Sequence, residues 1–196
     1  MIHAVLFDAD GLIISPHPYF SARLHDEFGV PAEAVLPFFK NEFRRCTEGK
    51  ADLKEELASY LPKWGWEKGA DELLRVWFSG ERAVNEALLR TVHALRQKGI
   101  GCYLASDNEK YRARYVMEVM GLKSRFDGAF FSCDLGYTKA NPKFYEEVLK
   151  ELSLAPGKIM CWDDDARNVS VAKSAGIDAY LYEGMDGFTK RMAELL

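Results

Sequence analysis

The stretch Ala4-Val5-Leu6-Phe7-Asp8-Ala9-Asp10-Gly11 decides the fold. Four apolar residues run directly into two carboxylates and a glycine. A short apolar run bounded in this way reads as a buried strand. In an open α/β sheet the ligand crevice lies beyond the carboxyl ends of the strands, and Asp8 and Asp10 are delivered to that edge. Alternate strand residues share a face, so the two carboxylates point the same way if the strand geometry persists. At such a separation they repel, unless a cation sits between them or one keeps a proton. A strand followed by an Asx-type turn would use the same residue types. The rest of the chain decides between these readings.

From Val84 onward, helix and strand alternate. Val84, Leu88, Val92 and Leu95 recur at helical spacing, and Lys98-Gly99 closes that helix. Ile100 to Ala105 reads as a buried strand, Asn108 to Met120 as a helix stopped by Gly121, and Ala129-Phe130-Phe131 as a short strand. Asn141-Pro142 opens a helix, with Asn as N-cap and Pro at the first helical position. Its apolar face is Phe144, Tyr145, Val148, Leu149 and Leu152. Ile159 to Trp162 is a strand, Val169 to Ala175 a helix and Ile177 to Leu181 a last strand. This order predicts an α/β fold, a doubly wound parallel sheet with right-handed crossovers. Residues 16–81 carry helical periodicity alone, in Tyr19 to Phe28, Ala32 to Arg45 and Asp52 to Leu61. They are expected to form an inserted helical cap over the crevice, with residues 1–15 and 82–196 as the core.

The chain carries 26 Lys and Arg against 30 Asp and Glu, a net charge of −4, and no basic run. The electrostatic footprint of a nucleic-acid binder is therefore missing. A 196-residue chain can bury one good core plus an insert. No apolar stretch is long enough to span a bilayer and no signal peptide precedes the first strand, so a cytoplasmic protein without a membrane partner is expected. Cys46, Cys102, Cys133 and Cys161 are scattered and read as free thiols. His3, His17, His25 and His93 form no ligand pair at helical spacing, which leaves histidine chemistry unsupported.

Polar residues follow each strand. The first ends in Asp8 and Asp10, the strand at 100–105 in Ser106-Asp107-Asn108, and the strand at 159–162 in Asp163-Asp164-Asp165. Parallel strands bring these ends to one edge, where up to five of these six carboxylates would gather and need a cation. Oxygen ligands with no nearby imidazole or thiolate suit Mg²⁺, which keeps several waters and bridges to substrate phosphate. One isolated lysine, Lys139, precedes the helix opened by Asn141-Pro142.

In this order the residues resemble the haloacid dehalogenase superfamily, in its small helical-cap branch of sugar-phosphate phosphatases and β-phosphoglucomutase-like enzymes. Asp8-Ala9-Asp10-Gly11 is similar to the first motif, in which the first Asp is the nucleophile and the second the general acid/base. Leu104-Ala105-Ser106 resembles the second, whose hydroxyl binds the transferring phosphoryl group. Lys139 in Lys-Ala-Asn-Pro resembles the third. Asp163-Asp164-Asp165-Ala166-Arg167-Asn168 resembles the metal-binding fourth. The resemblance implies a Rossmann-like fold, a Mg²⁺ cofactor and a phosphorylated small metabolite as substrate, with sugar phosphates as one candidate class. It also implies that Asp10 meets the metal through its backbone carbonyl, Asp164 through its carboxylate, and Asp163 directly or through water. Two positions depart from the pattern. Asp107 stands where Asn is usual, and Ala140 where Pro is common. The added charge at Asp107 either weakens phosphate binding or points away.

Phosphoryl transfer needs in-line attack, neutralised oxygens and a proton for the leaving group. Asp8, with an ordinary pKa of about 3.9, is expected to be ionised at neutral pH and to need no activating base. Asp10 must carry a proton in the first step, away from the metal. Asp165 is expected to cap the following helix. Phe38, Phe39, Phe43, Trp64, Trp66, Trp77 and Phe78 are expected to form the cap's own core, or in part to wall the pocket; Lys40, Arg44, Arg45 and Lys50 read as a solvated face. Two alternatives use the same core: a phosphomutase, and a non-catalytic module that keeps the fold and a metal site. Asp10 disfavours dehalogenase chemistry, because that branch lacks this residue.

Overall fold

Val5 and Phe7 face one side of the first strand, Ala4 and Leu6 the other, and all four are buried. Such a strand needs helices on both of its faces. In the computed structural model, which describes residues 1–15 and 18–196, it has them. β1 (Ala4–Phe7) leads into the helices α1 (Phe20–Phe28), α2 (Ala32–Lys40), α3 (Glu42–Thr47), α4 (Leu53–Ala58) and α5 (Gly69–Gly80). There follow α6 (Glu86–Gln97), β2 (Gly101–Ser106), α7 (Lys110–Arg114), β3 (Gly128–Phe131) and α8 (Ser132–Leu135). The chain then runs through α9 (Pro142–Leu152), β4 (Ile159–Asp163), α10 (Ala166–Ser174), β5 (Asp178–Leu181) and α11 (Met185–Met192).

The sheet order is β3-β2-β1-β4-β5, and every neighbouring pair is parallel. The winding reverses at β1, which has β2 on one side and β4 on the other. That reversal opens the crevice at the carboxyl end of β1. Phe7 lies opposite Leu104 and Trp162, so Asp8, the end of β2 and Asp163 come level. On one face, Val5, Phe7, Leu104 and Trp162 pack with Leu88 and Val92 of α6 and Phe188 of α11. On the other, Leu6, Ala105 and Cys161 pack with Phe144 and Val148 of α9 and Val169 of α10.

The chain leaves and re-enters this core at one place. Ile14 bridges Val84 antiparallel, Ser15 N–H donates to Ala83 O at 2.8 Å, and Asn85 N–H to Ile13 O at 2.8 Å. Helices α1 to α5 bury a cluster of their own, including Phe20, Leu24, Phe38, Leu57, Leu73 and Trp77; Tyr111 and Tyr115 pack against it from below. The expected edge of the insertion, and His17 with it, falls at residues 16–17, outside the described ones.

Several elements differ from the sequence expectation for identifiable reasons. The single helix expected over 32–45 is two: α2 runs through Pro37 to Lys40, and Asn41, at φ −114° and ψ −77°, separates it from α3. The helix expected over 108–120 starts at Lys110 and widens to a π-helical turn over Tyr115–Val119. Helix α5 falls in the helical stretch expected over 16–81, whereas α8 and α11 lie outside the expected elements; α8 has only four residues and α11 carries Gly187, which weakens the signal of each. Asn141 caps α9 by accepting from Lys143 N–H, and Asp165 caps α10 by accepting from Arg167 N–H. Cys46, Cys102, Cys133 and Cys161 are free thiols. Among the described residues no helix is long and apolar enough to cross a membrane.

Candidate active site

Asp8 continues β1 into the crevice, its N–H donating to Trp162 O at 2.9 Å. Its Oδ1 accepts from Ala9 N–H at 2.7 Å and lies 2.7 Å from Lys139 Nζ. The same ammonium donates to Asp163 Oδ2 at 2.7 Å, so one lysine holds two carboxylates, all three side chains being buried. Lys139 arrives on the loop between α8 and α9, and its backbone N–H donates to Asp107 Oδ1 at 2.8 Å. Although burial opposes its charge, the carboxylates of Asp8, Asp163 and Asp107 hold its pKa well above the usual lysine value. Burial pushes Asp8 well above the ordinary carboxylate range, against the pull of Lys139 and with a further push from Asp163. The dry surroundings of Asp8 thus oppose the charge that its ion pair with Lys139 favours.

Asp163 is spent on positioning as well. Its Oδ1 accepts from Asp165 N–H at 2.9 Å and from Asn168 Nδ2 at 3.2 Å. Asp164, by contrast, is exposed. Oxygens of Asp8, Asp163 and Asp164 all lie within 4.8 Å of one another. Burial raises the Asp164 pKa, with Asp163 adding to the rise. Gly11 makes room for this group: a Cβ there would stand 1.9 Å from Asp164 Oδ2, and its φ of +95° already suits glycine. The donor set is carboxylate oxygen without thiolate or imidazole, and it is short of positive charge. Those residues fit a small hard divalent cation such as Mg²⁺.

Asp10 is turned away from this group. Its Oδ1 accepts from Arg112 Nη2 at 3.0 Å, and its Oδ2 from Asn108 Nδ2 at 2.8 Å. Asn108 Nδ2 also donates to Ser106 Oγ at 2.8 Å, which ties the hydroxyl to the carboxylate. Arg112 is buried, donates to Glu81 O at 2.7 Å and lies 5.6 Å from the Phe78 ring centre and 5.8 Å from that of Tyr115. Neither Arg112 nor Glu81 carries a sequence signal: Lys110-Tyr111-Arg112-Ala113-Arg114 reads as an exposed basic helix face. Asn108 is visible only as the third residue of the strand-end triplet. Asp107, the departure from the family pattern, faces the Lys139 backbone, and burial raises its pKa against the lysine's charge.

Beside Asp10 lies a cavity of about 210 Å³ between α1, α2, α3, α5 and the start of α7. Tyr19, Phe39, Phe43 and Trp77 line it, together with Asp107, Glu109 and Arg112. Phe38 and Trp64 lie instead within the helical cluster, with ring centres 5.4 Å apart. Arg44 and Lys50 pair with Glu48 and Arg45 with Glu56, and none of these cations lines the cavity.

The family model described as haloacid dehalogenase-like hydrolase matches residues 2–176. A phosphorylated carbohydrates phosphatase of Thermotoga maritima is 27% identical over 185 residues, covering 90% of this chain and 83% of the relative. A D-ribitol-5-phosphate phosphatase of Bacteroides thetaiotaomicron is 22% identical over 205 residues, covering 100% of this chain and 99% of the relative. A crystal structure of a HAD family enzyme from Bacteroides thetaiotaomicron, a magnesium complex, superposes with a TM-score of 0.80 at 20% identity. It covers 94% of this chain and 96% of that one, and so shares the fold.

Proposed function

The chain belongs to the haloacid dehalogenase-like hydrolase family, and from that premise we propose that it is a Mg²⁺-dependent phosphomonoester hydrolase of a small metabolite. Residues 1–15 and 82–196 are its proposed core and 16–81 its proposed cap. The observation that carries this reading is the single buried ammonium of Lys139, shared at 2.7 Å between Asp8 and Asp163 beside the open carboxylate of Asp164. A nucleophile, a fixed cation and a cation-binding carboxylate share one strand edge.

Asp8 attacks phosphorus in line, the ester oxygen leaves, and an aspartyl-phosphate forms on Asp8. Asp10 protonates the departing oxygen, then takes a proton from the water that cleaves the acyl phosphate. Asn108 and Arg112 orient that carboxyl through both of its oxygens. Ser106 Oγ and Lys139 Nζ hold the phosphoryl oxygens in place. Asp8 and Asp164, with Asp163 directly or through water and the Asp10 carbonyl, would hold Mg²⁺, which when bound supplies positive charge against the phosphate. The relatives' names, phosphatases of phosphorylated carbohydrates and of D-ribitol-5-phosphate, support an ester of a small alcohol, with sugar phosphates among the candidates.

The test is hydrolysis of a generic aryl phosphate by wild type and Asp8→Asn, each with Mg²⁺ and with chelator. Turnover that needs Mg²⁺ and disappears in the variant is expected. Full metal-dependent activity in Asp8→Asn would sink the mechanism.

A further inference from the structure

The cavity beside Asp10 bears on what the phosphate is attached to, a question that rests on the phosphatase reading. Its polar groups are largely spent within the protein. Glu81 accepts from Phe20 N–H at 2.6 Å and from Trp77 Nε1 at 2.8 Å. Glu109 accepts from Arg112 N–H at 2.6 Å and from Tyr111 N–H at 2.8 Å. Asn108 is committed to Asp10 and Ser106. What the cavity presents to a ligand is therefore mainly rings. Phe39, Phe43 and Trp77 form a triangle with centres 5.3, 5.6 and 5.4 Å apart, and Phe20 stacks on Trp77 at 4.9 Å.

Besides the half-buried Ser21 hydroxyl, one fully buried polar atom of the lining is left over. Arg112 is 4% exposed, and its Nη1 is buried without a hydrogen-bond partner. A buried donor of this kind is costly until an acceptor reaches it. The charges exclude a second anion: among the described residues the lining holds four acids, Asp10, Glu81, Asp107 and Glu109, and no lysine. Its one cation is already paired with Asp10. The chain of a polyol would bring several hydroxyls to walls with few free partners.

We propose that this cavity receives a planar aromatic leaving group that carries one hydrogen-bond acceptor, so that the substrate class is an aromatic phosphomonoester rather than a polyol phosphate or a bisphosphate. Rings meet rings edge-on or offset, which the mutually tilted triangle permits. The acceptor satisfies Arg112, and the ester oxygen lies on the Asp10 side.

The experiment compares kcat/KM, with Mg²⁺, for benzyl phosphate and 3-pyridylmethyl phosphate against ribitol 5-phosphate and glucose 6-phosphate. All four lose a primary alcohol, so leaving-group chemistry does not set the order. The arylmethyl esters should lead by about tenfold, the equivalent of one or two ring contacts, with the pyridyl ester ahead of benzyl. Phe43→Leu, which keeps apolar volume and removes a ring, should cut that lead severalfold. A lead for the polyol esters, or equal rates, overturns the inference and leaves the phosphatase reading standing. A lead that Phe43→Leu does not reduce overturns the cavity as its source. Turnover of none of the four, nor of any aryl phosphate, removes the phosphatase reading and this one with it.

Discussion

Replacing Glu109 by glutamine should stabilise the protein at neutral pH and flatten the dependence of its stability on pH. Glu109 is 1% exposed and caps α7 with both carboxylate oxygens. Burial pushes its pKa from 4.5 to about 7, even though two backbone N–H groups favour the anion. The folded pKa lies above the unfolded one. Between about 4.5 and 7 the folded state therefore holds a proton that the unfolded state has lost, and stability falls as pH rises through that window. At about 1.4 kcal/mol per pKa unit, the whole fall is about 3 kcal/mol. Glutamine keeps one acceptor for the helix end and loses the other, at a cost of about 1 kcal/mol. The variant should thus gain about 2 kcal/mol above pH 7 and little or nothing near pH 5. Urea unfolding followed by tryptophan fluorescence, at intervals from pH 5 to 8, measures both proteins. Their difference isolates Glu109 from every other titrating group. Parallel profiles, with no change in the difference across that range, would refute the reasoning.

Asp107→Asn retains an oxygen that can accept from Lys139 N–H, so its KM for an aryl phosphate should stay within about threefold of wild type; a larger change would mean that the Asp107 charge acts on the substrate. Asp52 caps α4, accepts from Tyr111 Oη at 2.8 Å and pairs with Lys110 at 2.5 Å; against burial, these bonds pull its pKa down to about 2. Asp52→Ala should cost about 1–2 kcal/mol in urea unfolding at pH 7, and the deficit should shrink below pH 4, as protonation breaks the same bonds in wild type. Gly11→Ala forces a Cβ into Asp164 at a positive φ; the Mg²⁺ concentration for half-maximal rate should rise severalfold, and an unchanged metal requirement would remove Asp164 from the proposed ligand set.

How much of this was legible in the sequence follows from how each residue is specified. A strand buried on both faces must be apolar, and the first polar residue after it stands out. Asp8, Ser106 and Asp163 are visible for that reason, and parallel order places them on one edge. Lys139 is visible because Asn141-Pro142 marks a helix start just after it. Arg112 is not, because its meaning depends on Asp10, 102 residues away, while its neighbours Lys110 and Arg114 face solvent. The aromatics of helices α1 to α5 have the same ambiguity. Phe38 and Phe39 are adjacent on one helix, yet one is fully buried in the cluster and the other lines the cavity. Helical periodicity gives a face, not its depth.

The gathering of carboxylates shows where local reading needs the third dimension. Five acids at one sheet edge were expected to need an added cation. The chain supplies two of its own, and they divide the acids by task. Lys139 takes Asp8 and Asp163 on its ammonium and Asp107 on its backbone N–H; Arg112 takes Asp10. Asp10 is thereby held on its own cation, pointing toward the cavity where a leaving group would sit. Asp164 has neither partner, and it is the exposed member of the group that includes Asp8. Five carboxylates thus share two cations, and the uncompensated charge centres on Asp164, whose ligand oxygen lies within 4.8 Å of those of Asp8 and Asp163. The proposed metal site lies there, with Asp8 and Asp164 as its carboxylates, and a divalent ion bound between them would supply the positive charge that this edge lacks.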